Sequence, residues 1–296
     1  MSAQERYARL AREPMVEVAG NANPVRSLRE ILHRRDLLGL LVRRDLKARY
    51  KDSALGVVWT LVRPLTQLLI YYIVIGKFLG AERGIPEFAI YVFTGLTAYG
   101  LLSEIVSGGT SSIVANSGLV KKVYLPREIF PLASVGSALF NFGIQLVILI
   151  AATLVLQSPP ITPDLVYFLP SLLVLVSLGT ALGLLLAATN VYLRDLQYLV
   201  EVVLMVLLWA SPIVYSWGMA RDALGEGLAL DIYTNNPVTL AVLGFQKAFW
   251  TAGDGVVPYP DGLMLRLLIA SAIGIVLIVV FQRVFARLQG NFAQEL

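Results

Sequence analysis

The chain has 296 residues, of which 57% are hydrophobic and only 15% are charged, and its formal net charge is +4. It contains no cysteine and one histidine, which excludes disulfides, thiolate metal sites and thiol catalysis. Its hydrophobic residues form blocks of about 20, the length that crosses a bilayer, so the sequence predicts an all-α integral membrane protein.

The first part of the chain is polar and then becomes amphipathic. Residues 1–27 predict a variable extension with no cleaved signal peptide. Residues 28–54 predict an amphipathic helix on the cytoplasmic membrane face, because apolar residues recur at helical spacing with basic residues between them. The alternative is a solvated helix whose basic residues reflect only membrane orientation.

Six transmembrane helices are predicted in the membrane domain, residues 55–290. Pro64 is expected to kink or break the first of them. The segment 218–262 between the last two holds a short helix, with Asn236 as its N-cap and Pro237 at its first position. This helix is too short to cross, so we predict that it is interfacial or re-entrant. The six predicted spans are approximately 55–79, 88–107, 129–156, 165–190, 198–217 and 263–285.

The basic residues are distributed unevenly among the loops. Half of the 24 lysines and arginines lie within residues 1–51, and the 117–127 and 191–197 loops and the tail add more. The opposite loops hold only Arg83, Arg221 and Lys247. Because cytoplasmic loops carry the excess of Lys and Arg, both termini are predicted to be cytoplasmic, as an even number of spans requires.

Enzyme motifs are missing from the sequence. It has no phosphate-binding loop of the Walker type, no HExxH and no GxSxG. A membrane glycosyl- or acyltransferase remains an alternative, but it would need carboxylates or histidines gathered at one membrane face. The cytoplasmic acids each have a basic neighbour, and the external ones are dispersed, so we predict neither a catalytic residue nor a metal site. These acids are Asp45, Asp52, Glu128 and Asp195, then Asp222, Glu226, Asp231, Asp254 and Asp261.

Several stretches resemble one family. The chain is similar to the permease subunits of the ABC exporters that move lipid-linked polysaccharides, of the O-antigen, teichoic acid or galactan type, across the bacterial inner membrane. The resemblance covers roughly residues 28–290. The stretches that carry it are RRDLKARYKDSALGVVWTLVRPL (43–65), NSGLVKKVYLPREIFPL (116–132), NVYLRDLQYLV (190–200), SPIVYS (211–216) and NPVTLAVLGFQKAFW (236–250).

This resemblance implies a half-transporter in the inner (plasma) membrane. The chain would pair with itself as a homodimer, enclose a channel with its second copy, and work with two copies of a separate ATPase subunit. That partner would bind ATP and Mg, so no cofactor is expected in this chain. The implied substrate is an undecaprenyl-linked polysaccharide, and nucleic acid is not an expected partner. An exporter of another lipid or drug amphiphile is the first alternative.

The loop of residues 121–128 is the predicted contact with the ATPase, because it combines a rigid proline, an anchoring tyrosine and complementary charges. A second contact is predicted at residues 194–195. For both, the alternative is an ordinary cytoplasmic turn. The coupling residues are Lys121, Lys122, Tyr124, Leu125, Pro126, Arg127, Glu128, Arg194 and Asp195.

A cluster of basic residues leads into the first span and is predicted to gather the substrate's pyrophosphate at headgroup level. Arg63 lies inside that span, where a charge costs roughly 2.5–3.5 kcal/mol, so it is expected to face the channel or to snorkel inward. The alternative is that lipid begins only near residue 65. The cluster consists of Arg43, Arg44, Lys47, Arg49, Lys51 and Arg63.

Aromatic residues are predicted to line the channel, because their faces stack on sugar C–H surfaces without tight directional bonds. The alternative is that they are ordinary aromatic residues of the membrane interface. Glu104, Asn141 and Gln145 are predicted to form bonds between helices. The channel candidates are Tyr71, Tyr72, Tyr91, Phe93, Tyr99, Trp209, Tyr215 and Trp217.

Overall fold

A computed structural model describes residues 35–50, 58–78, 80, 84–122 and 125–296. These residues form helices joined by short turns, with no β-strand among them, which confirms the all-α prediction. In chain order the helices are α1 (Arg35–Tyr50), α2 (Trp59–Ile70) with a π-helical continuation (Tyr71–Phe78), α3 (Phe88–Ala115), α4 (Ser117–Lys122), α5 (Ile129–Val155), α6 (Phe168–Tyr192), α7 (Leu196–Trp209), α8 (Trp217–Leu224), α9 (Leu228–Thr234), α10 (Pro237–Phe249), α11 (Leu263–Leu288) and α12 (Phe292–Glu295).

The long apolar helices coincide with the predicted spans. Four helical segments in the described part of the chain are long and apolar enough to cross a membrane, and two apolar helices are shorter. The shorter pair, Pro64–Phe78 and Leu196–Trp209, coincides with the first and fifth predicted spans. The four long segments are Phe88–Ala115, Ile129–Val155, Pro163–Tyr192 and Leu263–Asn291.

Two of the predicted spans differ from the sequence expectation in detail. The first continues as a helix through Pro64, so no break occurs there; the change comes at Tyr71, where the helix passes into π-helical geometry. The fifth ends at Trp209, before the expected residue 217. The chain then turns through residues 210–216, which include Pro212, and α8 begins at Trp217. The predicted domain limits at 27/28 and 54/55 lie outside the described residues.

The core is built around α3 and α6. Helix α6 packs against α3 on one side and α11 on the other, and α10 packs onto both α3 and α6. A Cβ added to Gly109 of α3 would lie 2.8 Å from the Cα of Gly183 in α6. The two backbones therefore touch, as in membrane proteins whose helices associate through small residues.

Helix α10 lies inside this core. The Asn236 side chain accepts a hydrogen bond from the backbone N–H of Val238 at 3.0 Å, and Pro237 is the first helical residue, which confirms the predicted start. Phe245 packs edge-on against Phe142 and Phe168, with ring centroids 5.9 and 5.5 Å away. Because its surroundings are protein on nearly every side, α10 is part of the core and does not lie on the surface of the chain.

Candidate functional site

The basic face of α1 is exposed. Helix α1 packs against α5, where a Cβ on Gly136 would lie 2.7 Å from Cγ2 of Val42. Arg43 and Lys47 point away from this contact and are exposed. Arg44 is also exposed, and its guanidinium donates to Asp45 at 2.6 Å and to the Asn116 side chain at 2.7 Å. This last bond ties α1 to the end of α3.

The rest of the predicted basic cluster is not placed. Lys51 lies outside the described residues, and the side chains of Arg49 and Arg63 are not described. Their role in binding pyrophosphate stays a prediction.

The predicted coupling loop begins with α4, whose last residues, Lys121 and Lys122, are exposed. Tyr124 lies outside the described residues, and Leu125 and Pro126 follow as non-helical backbone. Glu128 is buried immediately before α5, and the Arg127 guanidinium donates a hydrogen bond to the backbone carbonyl of Gln289. The second predicted contact, Arg194 and Asp195, is an exposed turn between α6 and α7.

Four of the eight predicted channel aromatics form one connected group. The Tyr71 and Trp209 rings meet edge-on, with centroids 6.3 Å apart. The Tyr215 hydroxyl donates to the Trp209 carbonyl at 2.8 Å, and the Tyr91 hydroxyl lies 2.7 Å from the Tyr215 carbonyl. The group joins the end of α2, the end of α7 and the turn that follows α7.

The four remaining aromatic candidates pack in the hydrophobic core that Tyr91 and Tyr71 also contact. Phe93, Tyr99 and Trp217 are buried within the chain, and Tyr72 lies beneath the ammonium group of Lys77, 5.3 Å from its ring centroid. Tyr91 is also buried. Their channel role stays a prediction. The surface of the chain at this point is formed by Tyr71, Trp209 and Tyr215, and Trp209 is 52% exposed.

Helix α7 contacts its own chain along one narrow stripe. Val200 and Leu204, one turn apart, are its buried residues, while Tyr198 and Met205 are 68% and 60% exposed. Helix α2 and its continuation also leave apolar side chains exposed, among them Leu69. We call these adjoining exposed faces of α2, its π-helical continuation and α7 the open seam.

Two polar side chains on the open seam escaped the sequence interpretation. Glu201 is exposed on α7, and Gln67 is exposed on α2, where its amide lies 3.4 Å from the Tyr71 hydroxyl. An ionisable side chain in a membrane span is expensive in lipid and generally faces protein or a water-filled cavity. The sequence could have identified Glu201, because it is the one acidic residue in the predicted span 198–217.

A shallow cavity of about 380 Å³ lies next to Tyr215 and is mostly apolar. It is lined by α8 residues and by Tyr233, whose hydroxyl donates to that of Tyr215 at 3.3 Å. Burial and the neighbouring Tyr215 raise the pKa of Tyr233 well above its usual value. The two tyrosine hydroxyls form a hydrogen-bonded polar pair at one side of this otherwise apolar cavity.

A polar pair lies between α3 and α5. The Asn141 amide donates to the Glu104 carboxylate at 2.6 Å, which confirms the predicted interhelical bond. Gln145, one turn further along α5, lies near Gly100 of α3. Among the described residues, no group of three His, Cys, Asp or Glu side chains is arranged to hold a metal ion.

Comparison with known proteins identifies the family to which the chain is related. The profile of the ABC-2 type transporter family matches residues 36–250. The "O-antigen export system permease protein RfbA" of Myxococcus xanthus is 30% identical over 272 residues, which is 92% of this chain and 100% of that protein. A protein of the same name from Klebsiella pneumoniae is 27% identical over 266 residues, 88% of this chain and 95% of that protein.

These relatives are named as permeases of an export system, so the chain is a transporter component and not an enzyme. The family match and the apolar helices together make it a multi-pass membrane protein. Since the profile covers well over half of the sequence, this chain belongs to the ABC-2 type transporter family.

Proposed function

We propose that the chain is the membrane subunit of an ATP-driven exporter of an undecaprenyl-linked polysaccharide. Two copies and two separate ATPase subunits form the working transporter in the bacterial inner membrane. Each copy has six spans, and both termini are cytoplasmic. The O-antigen export named for the relatives supports this substrate class.

The observation that carries the proposal is the open seam. Helix α7 is held to its own chain by the stripe of Val200 and Leu204, and its other faces carry apolar, aromatic and charged side chains without cover from the described part of this chain. A second copy placed against the seam would bury the apolar residues and leave Glu201, Trp209 and Tyr71 beside a shared path. Tyr71, Trp209 and Tyr215 then offer stacking surfaces to successive sugars.

Entry of the substrate is assigned to α1. Its exposed Arg43 and Lys47, together with Arg44, Arg49, Lys51 and Arg63, gather the pyrophosphate at the level of the lipid headgroups. Each basic residue near an anionic membrane surface contributes about 1 kcal/mol of attraction. The apolar side of α1, including Leu41 and Val42, holds the helix against α5.

Energy comes from the partner. The sequence has no phosphate-binding loop, so ATP and Mg are bound by the ATPase subunit. The proposed contact surfaces are the 121–128 loop, where Lys121 and Lys122 are exposed, and the exposed turn at Arg194 and Asp195. These four charges can meet complementary charges of another protein.

The test uses inside-out inner-membrane vesicles that contain the chain, its ATPase and the lipid-linked polysaccharide. Export moves the polysaccharide into the vesicle, where an added glycosidase cannot reach it. We expect protection that depends on ATP. The double charge reversal Lys121→Glu and Lys122→Glu should abolish protection while the permease still melts at the wild-type temperature.

Three results would contradict the proposal: protection without ATPase subunits, no protection of any glycan with ATP present, or glycosyl transfer by the purified chain alone. ATP-dependent movement of a fluorescent lipid or drug in place of the glycan would indicate an exporter of another amphiphile.

A further inference from the structure

The segment Gln289–Leu296, which we call the distal segment, follows α11 and is fixed to the rest of the molecule. After one 3-10 turn, Gln289–Asn291, the chain forms the short helix α12. Phe292 at its start is fully buried. A short segment beyond a long helix is often poorly ordered unless its side chains pack against the rest of the protein. The contacts of Phe292 therefore determine whether the distal segment is fixed.

Phe292 connects the ends of two long helices. Its ring meets that of Phe285 in α11 edge-on, with centroids 5.6 Å apart, and that of Tyr192 in α6 at 6.2 Å. The Tyr192 hydroxyl donates to the Leu288 carbonyl at 2.8 Å, which adds a second link between α6 and α11. Tyr192 is the last residue of α6 and lies two residues before Arg194. The end of α6, just before the second predicted ATPase contact, is therefore joined to the distal segment.

The first predicted ATPase contact, the 121–128 loop, also meets Phe292. The Arg127 guanidinium carbon lies 5.5 Å from the Phe292 ring centroid, within the range of a cation–π interaction. The same guanidinium donates to the backbone carbonyl of Gln289. Helix α12 also packs against α4, which carries Lys121 and Lys122. One aromatic side chain thus lies between both loops and α11.

We propose that Phe292, held by Arg127 and Tyr192, is a positioning residue that makes the two cytoplasmic loops and α11 move as one unit. This inference rests on the proposed function, because it assumes that the loops receive the movement of an ATPase. A displacement of either loop is then transmitted to α11 through the ring contacts of Phe292 and the hydrogen bonds of Arg127 and Tyr192. Without the link, each loop can yield locally while the spans stay in place.

The experiment measures export and ATP hydrolysis in the full complex, in the vesicles described above, and compares Phe292→Leu with wild type. Leucine keeps an apolar side chain but removes the ring that Arg127 and Tyr192 contact. We expect export per ATP hydrolysed to fall about tenfold, within the usual range of coupling between sites. Hydrolysis should stay near wild type, and the melting temperature should fall by only a few degrees, because leucine fills part of the space of the buried ring. The matched control is Phe140→Leu on the exposed face of α5, where Phe140 is 48% exposed and export per ATP should not change.

Arg127 provides a second variant at a partly exposed side chain. Arg127→Gln removes the cation and should reproduce the Phe292→Leu defect, whereas Arg127→Lys keeps a cation near the ring and should retain most export. The double variant Arg127→Gln with Phe292→Leu should be no worse than either single one, because both act through the same contact.

Two outcomes overturn the inference: wild-type export per ATP in Phe292→Leu and Arg127→Gln, or a joint loss of melting temperature, hydrolysis and export, which would make the contact merely structural. Failure of the proposed function is distinguishable, since the wild-type complex itself would then show no ATP-dependent protection.

Discussion

The region around α10 and the open seam contain the same kinds of side chain but pack them in opposite ways. Trp250, which follows α10, is fully buried, and its indole N–H donates to the Pro86 carbonyl at 2.8 Å. Trp209 at the end of α7 is half exposed, and its ring meets that of Tyr71 edge-on. The first region is complete within one chain, whereas the second leaves apolar and aromatic side chains exposed, which is where we propose that a second copy binds. Stability should therefore depend on the first and transport on the second.

The largest effect is expected for Trp250→Ala, which removes a fully buried ring and its hydrogen bond. We expect a loss of about 3–5 kcal/mol in the free energy of unfolding, measured by circular dichroism of the detergent-solubilised protein. Trp209→Ala is the matched control and should change stability by less than about 1 kcal/mol, since this side chain is half exposed. Equal losses in the two variants would remove the distinction between the regions.

The contact of α3 with α6 should be nearly as sensitive. A methyl group at position 109 would collide with the Gly183 backbone, which cannot move aside as a flexible side chain would. Gly109→Ala should destabilise the protein by about 1–3 kcal/mol in the same measurement.

Gly143→Ala is the control for this change, because a Cβ on Gly143 of α5 would meet nothing within 4 Å. Alanine there should be neutral or should stabilise the helix by up to about 1 kcal/mol. A wild-type melting temperature in Gly109→Ala would show that the two backbones are further apart than the structure places them.

On the open seam the expected effect is on transport. Tyr71→Leu removes the ring that meets Trp209, and it should lower the export rate in the vesicle assay about 2–10-fold, as the loss of one aromatic stacking contact predicts. The melting temperature should not change. Val147→Ala, at a position of α5 that is 67% exposed, is the control and should export at the wild-type rate. Unchanged export in Tyr71→Leu would remove this residue from the proposed path.

The smallest expected effect is on the pH dependence of stability, through Asp254 in the turn after α10. Burial and the neighbouring Asp164 raise the pKa of Asp254, while Lys247 opposes them. Because the folded state then holds this proton more tightly than the unfolded state, the contribution of Asp254 to stability should fall as pH rises from about 3.8 through its raised pKa. Across this range the slope of melting temperature against pH should be more positive in Asp254→Asn than in the wild type, because the variant lacks this unfavourable contribution. Identical slopes would contradict the assignment.

Local sequence signals identified the elements that lipid and backbone geometry determine. The long apolar helices follow from the length that a bilayer demands, and the start of α10 follows from the Asn236 side chain and the fixed backbone of Pro237. The pairing of Glu104 with Asn141 was also predictable, because isolated polar groups in spans seek partners on neighbouring helices.

Features that depend on distant parts of the chain were not predictable. The hydrogen bond from Arg127 to the Gln289 carbonyl spans 162 residues, so no local pattern predicts the contacts of the distal segment. The contact of Gly109 with Gly183 likewise depends on how two helices cross. The early end of α7 had a local signal in Pro212, but the apolar residues after it extended the predicted span to 217.

The central claim, that the open seam is half of a path completed by a second copy, is tested most directly by a cysteine scan of α7. The sequence contains no cysteine, so each single substitution reports only on its own position. In oxidised native membranes we expect disulfide-linked dimers at a helical subset of the exposed positions Tyr198, Val202, Val203, Met205 and Val206, and none at the buried Val200 and Leu204. Absence of dimers along the whole helix, or equal dimer formation at Val147 of α5, would contradict the account.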